Sequence, residues 1–211
     1  MSPNVAALVR LMLVTDDRYA RERDPVQLAL AAERGGITSL QVRFKERGDR
    51  ELAQLVRALV AAVGIPVLVN DRPDIALAAG AAGVHLGPED LSVELTRRIV
   101  PPGFIIGASV GSPEEATLAG GADYWGIGPW RVTATKGNAG AALGAEGFRG
   151  LTRLAAGRPC IAIGGVMPTD VPEVLGSGGS GVAVVSGILG ADDVEAAARK
   201  YRHAGNREQK Q

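Results

Sequence analysis

The chain has 211 residues, 46% of them hydrophobic, which is enough to bury one core, and its Lys+Arg and Asp+Glu totals are equal at 23. With no net charge it carries no global field toward nucleic acid or a membrane surface, and its apolar runs are broken by Arg, Gly or Asp well short of a membrane span. A single cysteine, Cys160, excludes an internal disulfide, and the opening residues lack the basic-then-apolar run of a secretory signal, so a cytoplasmic protein is expected.

Short apolar runs alternate with helix-like stretches along the chain. Leu11 to Thr15 reads as a first strand ending in Asp16-Asp17. A helix follows from Pro25 to Arg34, with Asp24 as its N-cap and Gly35-Gly36 as its stop. Ser39 to Lys45 reads as the second strand and Asp49 to Val63 as the second helix, closed by Gly64. Pro66 to Asn70 gives the third strand, with an Ala-rich helix from about Asp74 to Ala82. Val84 to Leu86 is a short fourth strand, and Ser92 opens the next helix. Phe104 to Ser109 is the fifth strand, and Ser112 or Pro113 starts its helix. Tyr124 to Gly128 and Phe148 to Ala156 form the sixth pair, Cys160 to Gly164 and Thr169 to Leu175 the seventh. Val182 to Ser186 is the eighth strand, followed by a helix from about Asp192 to Tyr201.

Strand and helix alternating in this way imply a parallel sheet with helices outside it. Eight such units in about 200 residues point to a single α/β domain, a (β/α)8 TIM barrel, whose size range starts near there. A doubly wound open sheet is the other arrangement that such alternation allows. The barrel is expected to span residues 1–203, with Ala204 to Gln211 as a polar tail that frays. Cys160, at the start of an apolar run, reads as a buried small hydrophobe.

In a barrel of this kind the active site is built from loops at the C-terminal ends of the strands. The second strand ends Gln41-Val42-Arg43-Phe44-Lys45, which puts an amide and two cations on one face by alternation. Inward-facing cations are costly unless an anion meets them. Asp71 and Asp90 leave the neighbouring third and fourth strands. They could be salt-bridged to Arg43 and Lys45, or they could hold Mg²⁺, which takes one or two carboxylates plus substrate phosphates. His85, inside a short apolar strand, reads as core packing. Ser109 has no Gly-x-Ser-x-Gly elbow and no evident His-Asp partner, so it is expected as a hydrogen-bond donor and not as a nucleophile.

The longest polar loop follows the sixth strand. Thr133 and Thr135 are two apart, so their hydroxyls face one way in extended chain, and Lys136 adds a compact cation. Of 23 basic residues nineteen are arginine, so Lys45 and Lys136 stand out at strand ends. The seventh and eighth strands end Ile163-Gly164-Gly165 and Val185-Ser186-Gly187. Glycine there lets backbone N–H groups approach an anion, and barrels often hold phosphate at this place.

With these residues in view the chain resembles the thiamine phosphate synthase family. The resemblance runs through Gln41-x-Arg43-x-Lys45, Asn70-Asp71-Arg72, Gly83-Val84-His85-Leu86-Gly87 with Asp90, Gly107-x-Ser109, Gly128-Pro129 with Thr133-x-Thr135-Lys136, and Ala162-Ile163-Gly164-Gly165. It implies that hydroxymethylpyrimidine diphosphate loses pyrophosphate while the nitrogen of a thiazole phosphate, with or without a carboxylate, bonds to the exposed methylene carbon. It places Gln41, Val42, Arg43, Phe44, Lys45, Asn70, Ser109 and Lys136 around the pyrimidine diphosphate, with Arg43, Ser109 and Lys136 catalytic. It places Thr133, Ala134, Thr135, Gly165, Val185 and Ser186 around the thiazole phosphate, and Mg²⁺ on Asp71 and Asp90.

Three departures from the family stand out. Gly111 occupies a position where the family commonly has His, and Pro88 one where it usually has Gln. Trp130-Arg131-Val132 is also an unusual approach to the threonines. The resemblance extends more weakly to a thiazole tautomerase, whose site relies on a histidine near the fifth strand end, and to a non-catalytic binder of thiamine phosphate. The expected partners are small-molecule substrates, with no nucleic acid and no membrane, and the chain is compatible with a homo-oligomer.

Overall fold

Strands form where β-branched and leucine-rich runs are bounded by turn residues. They are β1 (Leu11–Val14), β2 (Ser39–Val42), β3 (Val67–Asn70), β4 (Gly83–Leu86), β5 (Ile105–Val110), β6 (Tyr124–Ile127), β7 (Cys160–Ile163) and β8 (Gly181–Val184). The computed structural model describes residues 4–132 and 141–206. Within it every neighbouring pair of strands is parallel, and β1 closes on β8 with Leu11 opposite Val182. The sheet is therefore a closed eight-stranded barrel with helices between the strands.

Side chains divide the core into two layers. Inside the barrel, Met12, Val14, Leu68, Ile105, Tyr124, Ile161 and Ala183 pack together. The other face of each strand meets the helices, where Leu13, Leu40, Val56, Leu59 and Val84 are buried among many others. Full burial of one such leucine contributes roughly 1.5–3 kcal/mol. The expected N-caps hold: Asp24, Ser92 and Ser112 accept hydrogen bonds from the amides of Val26, Leu95 and Glu115. Cys160 is buried, and burial pushes its thiol up to about 11, as suits a packing residue.

Among the boundaries that differ from the sequence expectation, three have a clear tertiary reason. β2 stops at Val42, three residues before Lys45. Its continuation is held by side chains instead of a ladder: the Arg43 amide donates to Thr15 Oγ1 and the Lys45 amide to Asp17 Oδ2, both at 2.7 Å. The helix after β6 covers Gly144–Leu154, starting before Phe148, because the Leu143 and Gly144 amides are anchored on the carbonyls of Pro129 and Trp130. The last helix, Val194–Asn206, passes Tyr201 and takes in Ala204 to Asn206, which the sequence placed in the tail. The Arg10 guanidinium holds that end by donating to Gly205 O and Asn206 Oδ1. Among the described residues no helix is long and apolar enough to cross a membrane.

Candidate active site at the strand C-termini

The polar side chains collect where β1 to β5 end. Gln41 points into the barrel and donates from Nε2 to Asn70 Oδ1 at 2.7 Å, so the two amides form one fixed pair across β2 and β3. Arg43 is paired with Asp16 at 3.1 Å, and both side chains are largely covered. Thr15 and Asp16-Asp17 thus form the seat of the basic segment: a hydroxyl and two carboxylates fix the backbone of Arg43 and Lys45 and the Arg43 guanidinium. Lys45 Nζ lies 3.7 Å from Asp71 Oδ2. The structure therefore joins Gln41, Arg43, Lys45, Asn70 and Asp71 into one polar surface.

Val42 and Phe44 are placed differently from their polar neighbours. Both are buried in the layer between barrel and helices, so their side chains turn away from Gln41 and Arg43. Only their main chain can serve a ligand at the mouth.

Asp71 adopts a left-handed backbone, φ 65°, with its N–H donating to the carbonyl of His85 at 2.8 Å. Aspartate tolerates that region better than most residues. The turn brings its carboxyl against that of Asp90, whose Oδ2 also accepts from the Gly87 amide at 2.6 Å. Burial, together with the hydrogen bond and charge of Asp90, raises Asp71 to about 6, against the lowering pull of Lys45 and Arg43. Two carboxyls in contact need a proton or a cation between them. That donor set suits a hard divalent ion with oxygen ligands, completed by phosphate oxygens. Among the described residues no cluster of three or more His, Cys, Asp or Glu forms a closed metal cage.

His85 is buried, as its apolar strand suggested, but its role is polar. Its Nδ1 sits 2.9 Å from the Tyr124 hydroxyl and its Nε2 3.0 Å from Ser109 Oγ. Local reading of the sequence missed this pair because the partners lie on two other strands. At Gly111 the N–H donates to Glu115 Oε2 at 2.6 Å, so a carboxylate caps the position where the family commonly has histidine.

Across the mouth, Gly164 and Gly165 have φ of 91° and 69°, and an added Cβ would lie 2.9 Å from Pro129 Cα and 3.0 Å from Arg131 Cβ respectively. Both conditions favour glycine. The amides of Trp130 and Arg131 donate to the carbonyls of Ile163 and Gly164, so the segment after β6 is laid against the end of β7. Arg131 is further clamped by Asp170 through a two-point ion pair. Val185 is half-buried, and exposed Ser186 opens a short helix, Ser186–Leu189. Thr133, Ala134, Thr135 and Lys136 lie outside the described residues.

A closed parallel barrel with cations, paired amides and paired carboxyls at its strand ends defines a (β/α)8 protein with a charged, polar mouth at the C-terminal ends of its strands. The chain belongs to the thiamine monophosphate synthase family, whose model matches residues 11–188. It is 46% identical over 197 residues to a thiamine-phosphate synthase of Azorhizobium caulinodans, covering 91% of this chain and 92% of that one. It is 44% identical to a thiamine-phosphate synthase of Methanoculleus marisnigri, covering 91% and 93%. The fold superposes on a thiamine phosphate pyrophosphorylase of Pyrococcus furiosus with a TM-score of 0.86 and 36% identity, covering 96% of this chain and 98% of the other.

Proposed function

We propose that this chain is a thiamine phosphate synthase, joining hydroxymethylpyrimidine diphosphate to hydroxyethylthiazole phosphate, or its carboxylated form, with release of pyrophosphate. The observation that carries this reading is the polar surface of Gln41, Arg43, Lys45, Asn70, Asp71 and Asp90 at adjacent strand ends, in a chain of this family.

Gln41, Asn70 and Ser109 orient the pyrimidine end, and Arg43 and Lys45 bind the diphosphate together with Lys136. Arg43 enters already oriented by Asp16, so little of its freedom is lost on binding. Fixed cations of this sort stabilise the charge that grows on the departing pyrophosphate better than water, which must reorganise. The thiazole phosphate is assigned to Thr133, Ala134, Thr135, Gly165, Val185 and Ser186, where positive-φ glycine exposes backbone N–H groups.

Asp71 and Asp90 are the residues that would hold Mg²⁺, since their contact leaves charge for a cation to satisfy. When bound, the ion would neutralise the diphosphate oxygens and make them a better leaving group. Nothing in the site asks for a covalent nucleophile. Incubation with both substrates and Mg²⁺ should release pyrophosphate and thiamine phosphate in equal amounts; absence of both products from folded protein overturns the reading.

A further inference from the structure

We propose that His85 is a positioning residue for Ser109: Tyr124 sets the imidazole in the tautomer with its hydrogen on Nε2, Nε2 donates to Ser109 Oγ, and the serine's own hydrogen is left to point at the ligand. The inference rests on the reading of Ser109 as part of the pyrimidine diphosphate site.

The network exists because two glycines make room for it. In the sheet register His85 and Tyr124 both stand opposite Gly107, from β4 and β6 on either side of β5. A Cβ on Gly107 would lie 2.2 Å from Tyr124 Cζ, so any side chain there would push the phenol out. Gly126 stands opposite Ser109, and a Cβ on it would lie 3.0 Å from His85 Cε1. The rings therefore meet across an emptied strand, with centroids 5.5 Å apart.

The direction of the hydrogen bonds follows from Tyr124. It is fully buried and burial drives its ionisation upward, so the phenol keeps its hydrogen. Two acceptors lie in reach, His85 Nδ1 at 2.9 Å and the Met12 thioether at 3.9 Å. The ring nitrogen is nearer and far the better acceptor. A neutral imidazole that accepts at Nδ1 carries its hydrogen on Nε2, and that hydrogen faces Ser109 Oγ at 3.0 Å. The order is the reverse of a hydrolase relay, in which serine gives its proton to histidine. Here the serine is the acceptor inside the wall and a donor outside it. A hydroxyl held in this way suits an anionic or lone-pair-bearing ligand and is poorly suited to attack.

Nitrogen NMR of the imidazole rings tests the tautomer directly, because the chain has only 2 histidines. His203→Gln assigns the signals. The expected result is a bare Nδ1 and a protonated Nε2 on His85, with the Nδ1-protonated form growing in when Tyr124→Phe removes the phenol donor. Hydrogen on Nδ1 in the unaltered protein overturns the proposal.

Kinetics test the positioning role. Ser109→Ala should lower kcat by ~10²-fold, the scale for one preorganised donor. His85→Leu should give a loss of the same order with KM for the thiazole phosphate unchanged. The double variant should be no slower than Ser109→Ala alone, and His85→Gln, whose amide can accept from Tyr124 and donate to Ser109, should recover part of the rate. A Ser109→Ala protein with full turnover sinks the assignment of Ser109 to the pyrimidine diphosphate site. A Ser109→Ala loss that His85→Leu does not share, or losses that simply multiply in the double variant, sink the positioning role alone. If His85→Leu does not fold, Tyr124→Phe carries the test, since it keeps both His85 and Ser109: a partial loss of kcat is expected and full kcat overturns the role.

Discussion

Lys45 Nζ lies 3.7 Å from Asp71 Oδ2, so the ammonium faces one of two carboxyls that already meet each other. One ammonium thus faces an acidic pair, and the proposed Mg²⁺ would take up negative charge that it leaves. Asp71→Asn and Asp90→Asn should each cut turnover by about 10²-fold or more while the far-ultraviolet circular dichroism stays unchanged. Full activity in either variant, or in excess chelator, would remove Mg²⁺ from the proposed site.

The same pair predicts a pH dependence. Asp71 is raised by burial and by Asp90 from 3.8 to about 6, so between those values the folded chain holds a proton that the unfolded chain releases. The stability it contributes is fully present below about pH 4 and is lost as pH rises through about 6. After allowance for solvent access the swing is on the order of 1–2 kcal/mol. With chelator present, Tm of the unaltered protein should fall relative to Asp71→Asn between pH 4 and pH 7. Mg²⁺ with pyrophosphate should offset that fall at pH 7, where the ion takes the proton's place. A Tm difference that ignores pH would contradict the assignment.

A substitution at Gly165 distinguishes the two proposed anion sites. Its φ is 69° and an added Cβ would press on Arg131 Cβ at 3.0 Å. Gly165→Leu should weaken thiazole phosphate binding by about 10-fold or more, by blocking the backbone approach, and leave diphosphate binding within about twofold. Calorimetry with each ligand alone decides it; equal losses would merge the two sites.

Lys136 is expected to act as pyrophosphate leaves, in the chemical step more than in binding. Lys136→Ala should lower kcat by about 10²–10³-fold, and Lys136→Arg should restore only part, because the guanidinium is broader than the ammonium. Thr133→Ala and Thr135→Ala should instead raise KM for the thiazole phosphate. Single-turnover rates at saturating substrate distinguish the two effects, and an unchanged chemical step in Lys136→Ala would make the loop a plain surface segment.

The barrel was legible because its eight strands and the main helix after each signal themselves locally, as with Asp24 before Pro25 or Ser112 before Pro113, whereas the short helices Val5–Leu8, Asp17–Ala20 and Ser186–Leu189 were not read. What escaped sequence reading depends on partners distant in the chain. β2 reads as continuing to Lys45 by alternation, yet Thr15 and Asp17 replace the ladder beyond Val42. Alternation also puts Val42 and Phe44 next to the site in sequence while sending their side chains into the outer core. His85 looks like an apolar-strand residue because nothing nearby announces that Gly107 leaves the space opposite it empty. Asp16 as the holder of Arg43 could have been suspected from its place at the end of the first strand, but only the parallel pairing of β1 with β2 brings the two together.

The pairing of β1 with β8 has a consequence for synthesis. Leu11 finds Val182 only after nearly the whole chain has been made, so on the ribosome the first strand waits with one edge open while the later units emerge. Its neighbour β2 covers the other edge early. A stalled or truncated product lacking β8 would expose the backbone of Leu11 to Val14 as a template for other chains, and such products should aggregate or be degraded and not persist as partial barrels.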